Sequence, residues 1–91
     1  MCAFGQGSDF EQGVARFRAG DFAGAVPLFT RATESHPKDA AAWKGLGSAY
    51  AAMGYYGRAE PAFRRACELD PRLQNACYFY GRALYALNRR L

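Results

Sequence analysis

The sequence predicts an all-α fold in which about five helices pack as a stack of antiparallel pairs. The 91-residue chain resembles itself when it is shifted by 34 residues, apolar residues recur at helical spacing, and short breaks containing glycine or proline separate the segments. No segment alternates polar and apolar residues as a strand would. Units repeated at such an interval stack because none can bury its apolar face alone. The recurring positions are Gly13, Gly47 and Gly81; Ala15, Ala49 and Ala83; and the pairs Ala25/Ala59, Pro27/Pro61, Phe29/Phe63, Arg31/Arg65, Ala32/Ala66, Glu34/Glu68 and Pro37/Pro71.

Each helix is expected between two of these breaks. Gly20 ends the first helix and Asp21 can cap the second, whereas Pro37 interrupts the chain before Asp39, which can cap the third. Neighbouring helices should be antiparallel because the short breaks force the chain to reverse at once. The expected helical ranges are 8–19, 22–35, 40–53, 57–69 and 73–88. They form a repeat domain at 8–91, with units at about 6–39, 40–73 and 74–91, after a flexible segment at 1–7.

Two prolines occupy the same place in successive units. Pro27 and Pro61 both fall near the start of the second helix of their unit. Proline beyond the first turn removes a helical hydrogen bond and crowds an earlier carbonyl. We therefore expect these helices to start late or to bend at the first turn.

The composition predicts a soluble globular protein. Hydrophobic residues make up 51% of the chain, and no apolar run approaches the ~18–20 residues that span a bilayer. The net charge is +4, and the arginines that dominate it are spread over every helix, as on an ordinary solvated surface. An acidic partner, or more weakly a nucleic acid, is the alternative explanation. The arginine excess also fits a GC-rich bacterial genome. The compartment stays open, with the cytoplasm slightly favoured over the periplasm.

The three cysteines indicate no metal site. Cys2, Cys67 and Cys77 form neither an even disulfide framework nor a Cys-x-x-Cys pair, so structural zinc is not expected. Cys67 and Cys77 fall at the end of one helix and the start of the next, where they could meet. Buried free thiols are the commoner outcome for such residues.

Ten residues of the middle unit carry a family resemblance. They are Trp43, Leu46, Gly47, Tyr50, Gly54, Tyr56, Ala59, Phe63, Ala66 and Pro71. Their spacing resembles the tetratricopeptide repeat, a two-helix unit of 34 residues, and implies a right-handed superhelical stack of about two and a half units. Gly47 and Ala59 would be small where the two helices of a unit approach. In the first unit Asp9, Gln12 and Arg16 stand where large apolar residues are usual, which suits an N-terminal cap that faces water.

The resemblance also implies a binding face. In this family the first helix of each unit lines a concave groove that receives an extended peptide or a partner helix. Lys44, Arg82 and Arg18 could there hold carboxylates of a ligand. Carried over residue by residue, the groove would consist of Phe10, Val14, Phe17, Arg18, Lys44, Ser48, Ala51, Ala52, Tyr78, Arg82 and Tyr85.

Two points qualify this groove. Its aromatic residues could bind a ligand or pack against other helices. For Tyr78 and Tyr85 the two roles are equally expected, whereas packing is favoured for Phe10 and Phe17. The clamp with which some relatives bind acidic chaperone C-termini is not matched, since only one of its positions holds a compatible side chain. Those positions here are Phe10, Val14, Gly45, Asn75 and Phe79.

The third unit has only its first helix. Tyr80, Leu84, Leu87 and Leu91 recur at intervals of four, three and four residues, which places them on one face of that helix. A second helix would cover this face. We therefore expect the chain to be a fragment of a longer array, to self-associate through these four residues, or both.

Catalysis finds little support in the residues. His36 lies in a turn without a cysteine or acid at a useful spacing, and Gly5-Gln6-Gly7 lacks the strand, lysine and hydroxyl of a phosphate loop. The prediction is a non-catalytic adaptor without a cofactor or metal that binds a protein or peptide. The alternative is a helical nucleic-acid-binding domain that uses the arginine excess.

Overall fold

The computed structural model describes residues 8–90, with side chains described up to residue 88. This part of the chain contains five helices and no strand, so the predicted all-α fold is confirmed. Each helix packs against the next along the chain, and the first also contacts the third. The helices are α1 (Asp9–Arg18), α2 (Phe22–Ser35), α3 (Ala40–Ala52), α4 (Tyr56–Leu69) and α5 (Ala76–Arg90). The expected flexible segment at 1–7 lies outside the described residues, as does Leu91.

Polar side chains cap the first three helices. Ser8 and Glu11 form a reciprocal capping box at α1, in which the Glu11 N–H donates to Ser8 Oγ over 3.1 Å and the Ser8 N–H donates to Glu11 Oε1 over 3.2 Å. Asp21 accepts from the Gly24 N–H at the start of α2, and Asp39 accepts from the Ala41 N–H at the start of α3. Both expected aspartate caps are therefore confirmed.

The fourth helix begins without such a cap. Tyr55 stands at its N-cap, has no side-chain hydrogen bond to the helix, and is followed by Tyr56 as the first helical residue, one residue before the expected start. The preceding turn depends on Gly54, whose φ of 82° is the left-handed conformation that glycine adopts without strain. Gly20, with a φ of 85°, plays the same part after α1.

The expected start of the fifth helix at Leu73 is wrong. Residues 70–75 form successive turns, in which the Asp70 carbonyl accepts from the Leu73 N–H and the Asp70 carboxylate accepts from the Arg72 N–H. Asn75 has a φ of 65°, which a right-handed helix does not allow, so α5 begins only at Ala76. It continues to Arg90, beyond the expected end at Asn88.

The two prolines do not delay their helices. Both α2 and α4 begin five residues before the proline, at Phe22 and Tyr56. The hydrogen bonds that Pro27 and Pro61 cannot make would have gone to the carbonyls of the residues four earlier, Ala23 and Gly57. Both of those residues are exposed, so water can satisfy their carbonyls.

Two phenylalanines form the centre of the core. Phe29 of α2 and Phe63 of α4 are each only 2% exposed. Glycines on the first helices allow these rings to approach. A Cβ at Gly13 would lie 2.8 Å from Phe29 Cε1, and a Cβ at Gly47 would lie 2.8 Å from Phe63 Cδ1. Ala59 is fully buried beside Phe63, so the expectation of close helix approach at Gly47 and Ala59 is confirmed.

Free thiols at Cys67 and Cys77 are not what the structure shows. The two residues form a disulfide between the end of α4 and the start of α5, with 4.7 Å between their Cα atoms. The turns at 70–75 bring the two helix ends together across a separation of 10 residues. The approach of the two cysteines was therefore foreseen from their places at adjoining helix ends, whereas the preference for free thiols was wrong.

Candidate functional site

The face formed by α1, α3 and α5 contains two adjoining depressions. The first has a volume of about 330 Å³ and lies between α1 and α3, with the Phe29 ring of α2 among its lining residues. The second has a volume of about 320 Å³ and lies between α3 and α5. Phe17 and Ser48 line both depressions, so the two are continuous along the stack.

Nine of the eleven expected groove residues line these depressions. The first depression includes Phe10, Val14, Phe17, Arg18, Lys44 and Ser48. The second adds Ala51, Ala52 and Arg82. Tyr78 and Tyr85 line neither, and their side chains are 59% and 62% exposed.

The phenylalanines of α1 have two kinds of contact. Phe10 packs against Phe29 with 5.8 Å between ring centroids, and Phe17 packs edge-on against Phe22 at 5.0 Å. Both side chains are half-buried against the core and also line the first depression. Packing, the role favoured for these two rings, therefore describes only part of their environment. Each ring also has a surface that faces the groove.

Three cations surround the two depressions. Lys44 Nζ lies 5.9 Å from the Phe79 ring centroid, and the Arg82 guanidinium lies 5.8 Å from the Tyr78 ring centroid and donates to its hydroxyl over 3.4 Å. Arg18 lines the first depression. In the part of the chain that the structure describes, none of the three forms an ion pair with a carboxylate.

Other arginines do have acidic partners. Arg16 pairs with Asp21 at 2.9 Å, and Arg31 pairs with Asp9 at 3.1 Å across the first helix pair. The Gly24 N–H and then Arg16 hold the pKa of the Asp21 carboxyl below its ordinary value of 3.8, and the hydrogen bond to Asp9 raises the pKa of Arg31. These ion pairs lie on the polar first unit, where a cap was expected.

The depressions also contain residues that were not assigned to the groove. Gly45 and Phe79 were considered only as clamp positions, yet each lines a depression beside Lys44 or Arg82. Leu73 reaches the first depression from the turns at 70–75, whereas Leu73 was expected at the start of the fifth helix. The 34-residue shift from Gly45 to Phe79 could have identified that pair, whereas no pattern in the sequence places Leu73 there.

The four residues of the expected self-association stripe differ in exposure. Tyr80 is half-buried against the cluster around Phe63, Leu84 is 40% exposed, and Leu87 is half-buried. Leu91 lies outside the described residues. Beside this stripe, a Cβ at Gly81 would have no neighbouring atom within 4 Å.

The described residues contain no cluster of the kind that holds a metal ion. No group of three or more His, Cys, Asp or Glu side chains that could hold a metal ion occurs among them. His36 is exposed in the turn before α3. No helix in the described part of the chain is both long and apolar enough to cross a membrane.

The sequence matches known proteins over most of this fold. The family model described as tetratricopeptide repeat matches residues 10–73. Superkiller protein 3 of Schizosaccharomyces pombe is 48% identical over 59 residues, 65% of this chain. Superkiller complex protein 3 of Mus musculus and of Homo sapiens are each 37% identical over 60 residues, 66% of this chain.

These relatives are far longer proteins, since the aligned segment covers about 4% of each. They are eukaryotic, so they lend no support to the bacterial origin suggested by composition. The family match covers α2, α3 and α4 completely and most of α1. The chain therefore belongs to the tetratricopeptide repeat family, whose helix pairs are typically non-catalytic scaffolds for protein–protein interaction.

Proposed function

We propose that this chain binds an extended peptide or a helix with acidic side chains along the face of α1, α3 and α5. The observation that carries the proposal is the pair of continuous apolar depressions surrounded by Arg18, Lys44 and Arg82, none of which has a carboxylate partner among the described residues. Aromatic and alanine surfaces would take apolar side chains of the ligand, and the three cations would bind its carboxylates.

The dimensions support a short linear ligand. Each depression has a volume at the lower end of the ~300–1,000 Å³ that small-ligand sites occupy, which leaves room for apolar side chains of a peptide. Ala51 and Ala52 leave room between the aromatic surfaces of Phe17 and Phe79. A peptide lying along the stack could place consecutive side chains in the two depressions.

The names of two relatives fit an interaction role. The mouse and human proteins are named for a complex, the Superkiller complex. A short repeat unit that contacts another protein is consistent with membership of such an assembly. We propose no more than this general role from the names.

We also propose self-association through the outer face of α5. Its candidate residues are Tyr80, Leu84, Leu87 and Leu91, of which Leu84 is the most exposed apolar side chain among those described. Pairing of two copies would remove this apolar surface from water. Light scattering over a range of concentrations should show a dimer that Leu84→Glu dissociates, and a monomer in both cases would contradict it.

Nucleic-acid binding is the second candidate. It rests on the arginine excess, but Arg16, Arg31, Arg64 and Arg65 already pair with carboxylates of the same chain. Those pairs reduce the cationic surface available to phosphates. The smaller cationic surface favours a protein ligand over a nucleic acid.

Paired charge reversals test the two candidates. A labelled peptide library with Glu fixed at two positions should bind at least tenfold more weakly to the Lys44→Glu/Arg82→Glu double variant than to the unchanged chain, because two groove cations have become anions. The Lys38→Glu/Arg58→Glu double variant carries the same charge change on exposed residues outside the groove and should keep the affinity. Equal loss in both would contradict groove binding.

The same variants distinguish a nucleic acid. A labelled single-stranded oligonucleotide bound through dispersed charge would lose affinity similarly in both double variants. Its binding would also fall steeply with salt because counterions are released from phosphates. Fluorescence anisotropy at two salt concentrations measures both effects.

A further inference from the structure

Hydrogen bonds hold the turn that joins the first unit to the second. Residues 36–39 form this turn between α2 and α3. The Asp39 carboxylate accepts from the Ala41 N–H over 3.0 Å, and the Trp43 indole N–H donates to the Pro37 carbonyl over 2.8 Å. Each bond joins a residue of the turn to a residue of α3, so together they fix the turn against the start of that helix.

The turn that joins the second unit to the third has neither of these bonds. The 34-residue shift relates Asp39 to Leu73 and Trp43 to Cys77. Leucine has no side-chain acceptor, and the sulfur of Cys77 is bonded to that of Cys67, so neither residue can form the equivalent hydrogen bond. The disulfide therefore takes the place of both bonds and closes a covalent ring around the turn.

Other bonds within this ring are local. The Leu73 N–H donates to the Asp70 carbonyl over 3.1 Å, and the Ala76 N–H donates to the Leu73 carbonyl over 3.1 Å. Asn75 has a φ of 65°, a left-handed conformation that is uncommon for residues other than glycine. Once the ring is opened, these short-range bonds alone hold the turn.

The ring positions side chains of the groove. Leu73, inside the ring, is half-buried and lines the first depression together with Lys44. Phe79 follows Cys77 by two residues, lines the second depression and has its ring centroid 5.9 Å from Lys44 Nζ. The disulfide thus lies close in the chain to one apolar lining residue of each depression.

We propose that the disulfide between Cys67 and Cys77 regulates peptide binding in the groove by holding Leu73 in the wall of the first depression, an inference that rests on the groove function proposed above. The oxidised chain presents this wall already formed. In the reduced chain the ligand must order the turn as it binds, and the entropy lost in that ordering lowers the affinity.

Reduction is a two-electron thiol–disulfide exchange with a dithiol. A thiolate of the dithiol attacks one sulfur of the disulfide, the S–S bond breaks, and the other cysteine leaves as a thiolate. The second thiol of the reductant then displaces the remaining cysteine from the mixed disulfide. The dithiol becomes a disulfide, and its two protons end on Cys67 and Cys77. Both cysteines are half-buried rather than enclosed in the core, so a small dithiol can reach them.

The labelled peptide library with Glu fixed at two positions is the probe. Fluorescence anisotropy should show binding that is about tenfold weaker to the chain reduced with dithiothreitol than to the oxidised chain, the factor that corresponds to the loss of about one buried leucine contact. The Cys67→Ser/Cys77→Ser variant should bind as weakly as the reduced chain and should not respond to dithiothreitol. Circular dichroism at the assay temperature checks that the helices are retained.

Leu73→Ala separates this effect from a general loss of stability. The variant keeps the disulfide but lacks the side chain that the ring positions, so the oxidised variant should bind about tenfold more weakly and reduction should add little. Gln74→Ala, on an exposed residue of the same turn, is the matched control and should keep both the affinity and its dependence on reduction. A loss on reduction as large in Leu73→Ala as in the unchanged chain would overturn the proposal.

A second measurement needs no ligand. In the oxidised chain the methyl protons of Leu73 should show nuclear Overhauser effects to at least one other residue that lines the first depression. Reduction should remove these effects, because the turn then leaves the wall. Effects that persist unchanged after reduction would overturn the proposal.

The outcomes separate the regulation from groove binding itself. Absence of binding to the oxidised chain would contradict the groove function and, with it, the regulation. Equal binding to the oxidised and reduced chains, or tighter binding after reduction, would overturn the regulation and leave the groove function intact. The expected result is weaker binding to the reduced chain and to Leu73→Ala, with Gln74→Ala unchanged.

Discussion

The junction between the first and second units and the junction between the second and third units have the same geometry but different chemistry. At the first, Phe29 packs against Gly45, and Thr33 and Trp43 occupy the positions that the 34-residue shift relates to Cys67 and Cys77. At the second, Phe63 packs against the Phe79 ring with 5.5 Å between centroids, and the disulfide joins the two helices.

The polar groups of the first junction are satisfied without a covalent bond. The buried Thr33 hydroxyl donates to the Thr30 carbonyl over 2.7 Å, and the Trp43 indole N–H donates to the Pro37 carbonyl over 2.8 Å. The first junction therefore depends on close packing, whereas the second depends on a bond whose formation follows the redox conditions. One repeat architecture can thus combine a constitutive junction and a conditional one.

Removal of the disulfide should have the largest effect, because it weakens the second junction and leaves the first unchanged. The disulfide closes a loop across a separation of 10 residues, and the loss of that constraint on the unfolded chain corresponds to about 3 kcal/mol of unfolding free energy. The Cys67→Ser/Cys77→Ser variant should lose this amount in urea denaturation followed by circular dichroism. Treatment of the unchanged chain with a reductant should give the same loss.

Hydrogen exchange measurements should show which helices lose stability when the disulfide is reduced. Amides of α5 should lose protection on reduction, whereas amides of α1, α2 and α3 should keep theirs up to the global limit, since no cysteine lies in those helices. Thus the first junction is the internal control. Unchanged protection in α5 would contradict the conditional character of the second junction.

Gly45→Ala should weaken the first junction by less than loss of the disulfide weakens the second. Its Cβ would lie 2.6 Å from Phe29 Cε1, so the ring or the helix must shift, at a cost of about 1–3 kcal/mol. Gly57→Ala is the matched control, because its Cβ position is open and alanine favours a helix by roughly 0.5–1 kcal/mol over glycine. Opposite signs in urea denaturation are expected, and a stabilising Gly45→Ala would contradict the close packing.

The smallest expected effect concerns the caps of α2 and α4, which the 34-residue shift also relates. Asp21 caps α2, whereas Tyr55 stands at the equivalent position of α4 with no side-chain cap. Because the folded-state pKa of Asp21 is lowered, its contribution is present above its ordinary value of 3.8 and is lost as the pH falls through the folded-state value.

Asp21→Asn tests this contribution. Asparagine can still accept the hydrogen bond of the cap but does not titrate, so the fall in stability below about pH 4 should become shallower. Thermal denaturation between pH 2 and pH 7 measures it. Glu34→Gln, on an exposed residue of the same helix, is the control and should leave the acid limb closer to that of the unchanged chain.

Much of the fold could be predicted from periodicity, and its exceptions have local causes. Breaks at Gly20 and Gly54 and caps at Asp21 and Asp39 gave four helices within about one residue of their bounds. The start of α5 was missed because the positive φ of Asn75 arises from the turns around Asp70, which no apolar spacing reports.

The parts of the candidate site that lie on the repeated helices could be predicted, whereas the parts that depend on the turns at 70–75 could not. Nine of the eleven residues that the family resemblance implied for the groove line the depressions. Leu73 and the disulfide both depend on how residues 70–75 bring the chain back, which is a property of three-dimensional path rather than of pattern. Tyr78 and Tyr85 lie on α5, as expected, but line neither depression.

The position of Phe29 between two glycines has a consequence for the motion of its ring. A Cβ at Gly13 or Gly45 would lie within 2.8 Å of a ring atom, so both backbones closely confine the ring. A half-turn of the ring about the bond from Cβ to Cγ requires α1 and α3 to separate briefly. Because Phe29 also lines the first depression, the nuclear magnetic resonance line shapes of its ring protons would time the opening of that depression.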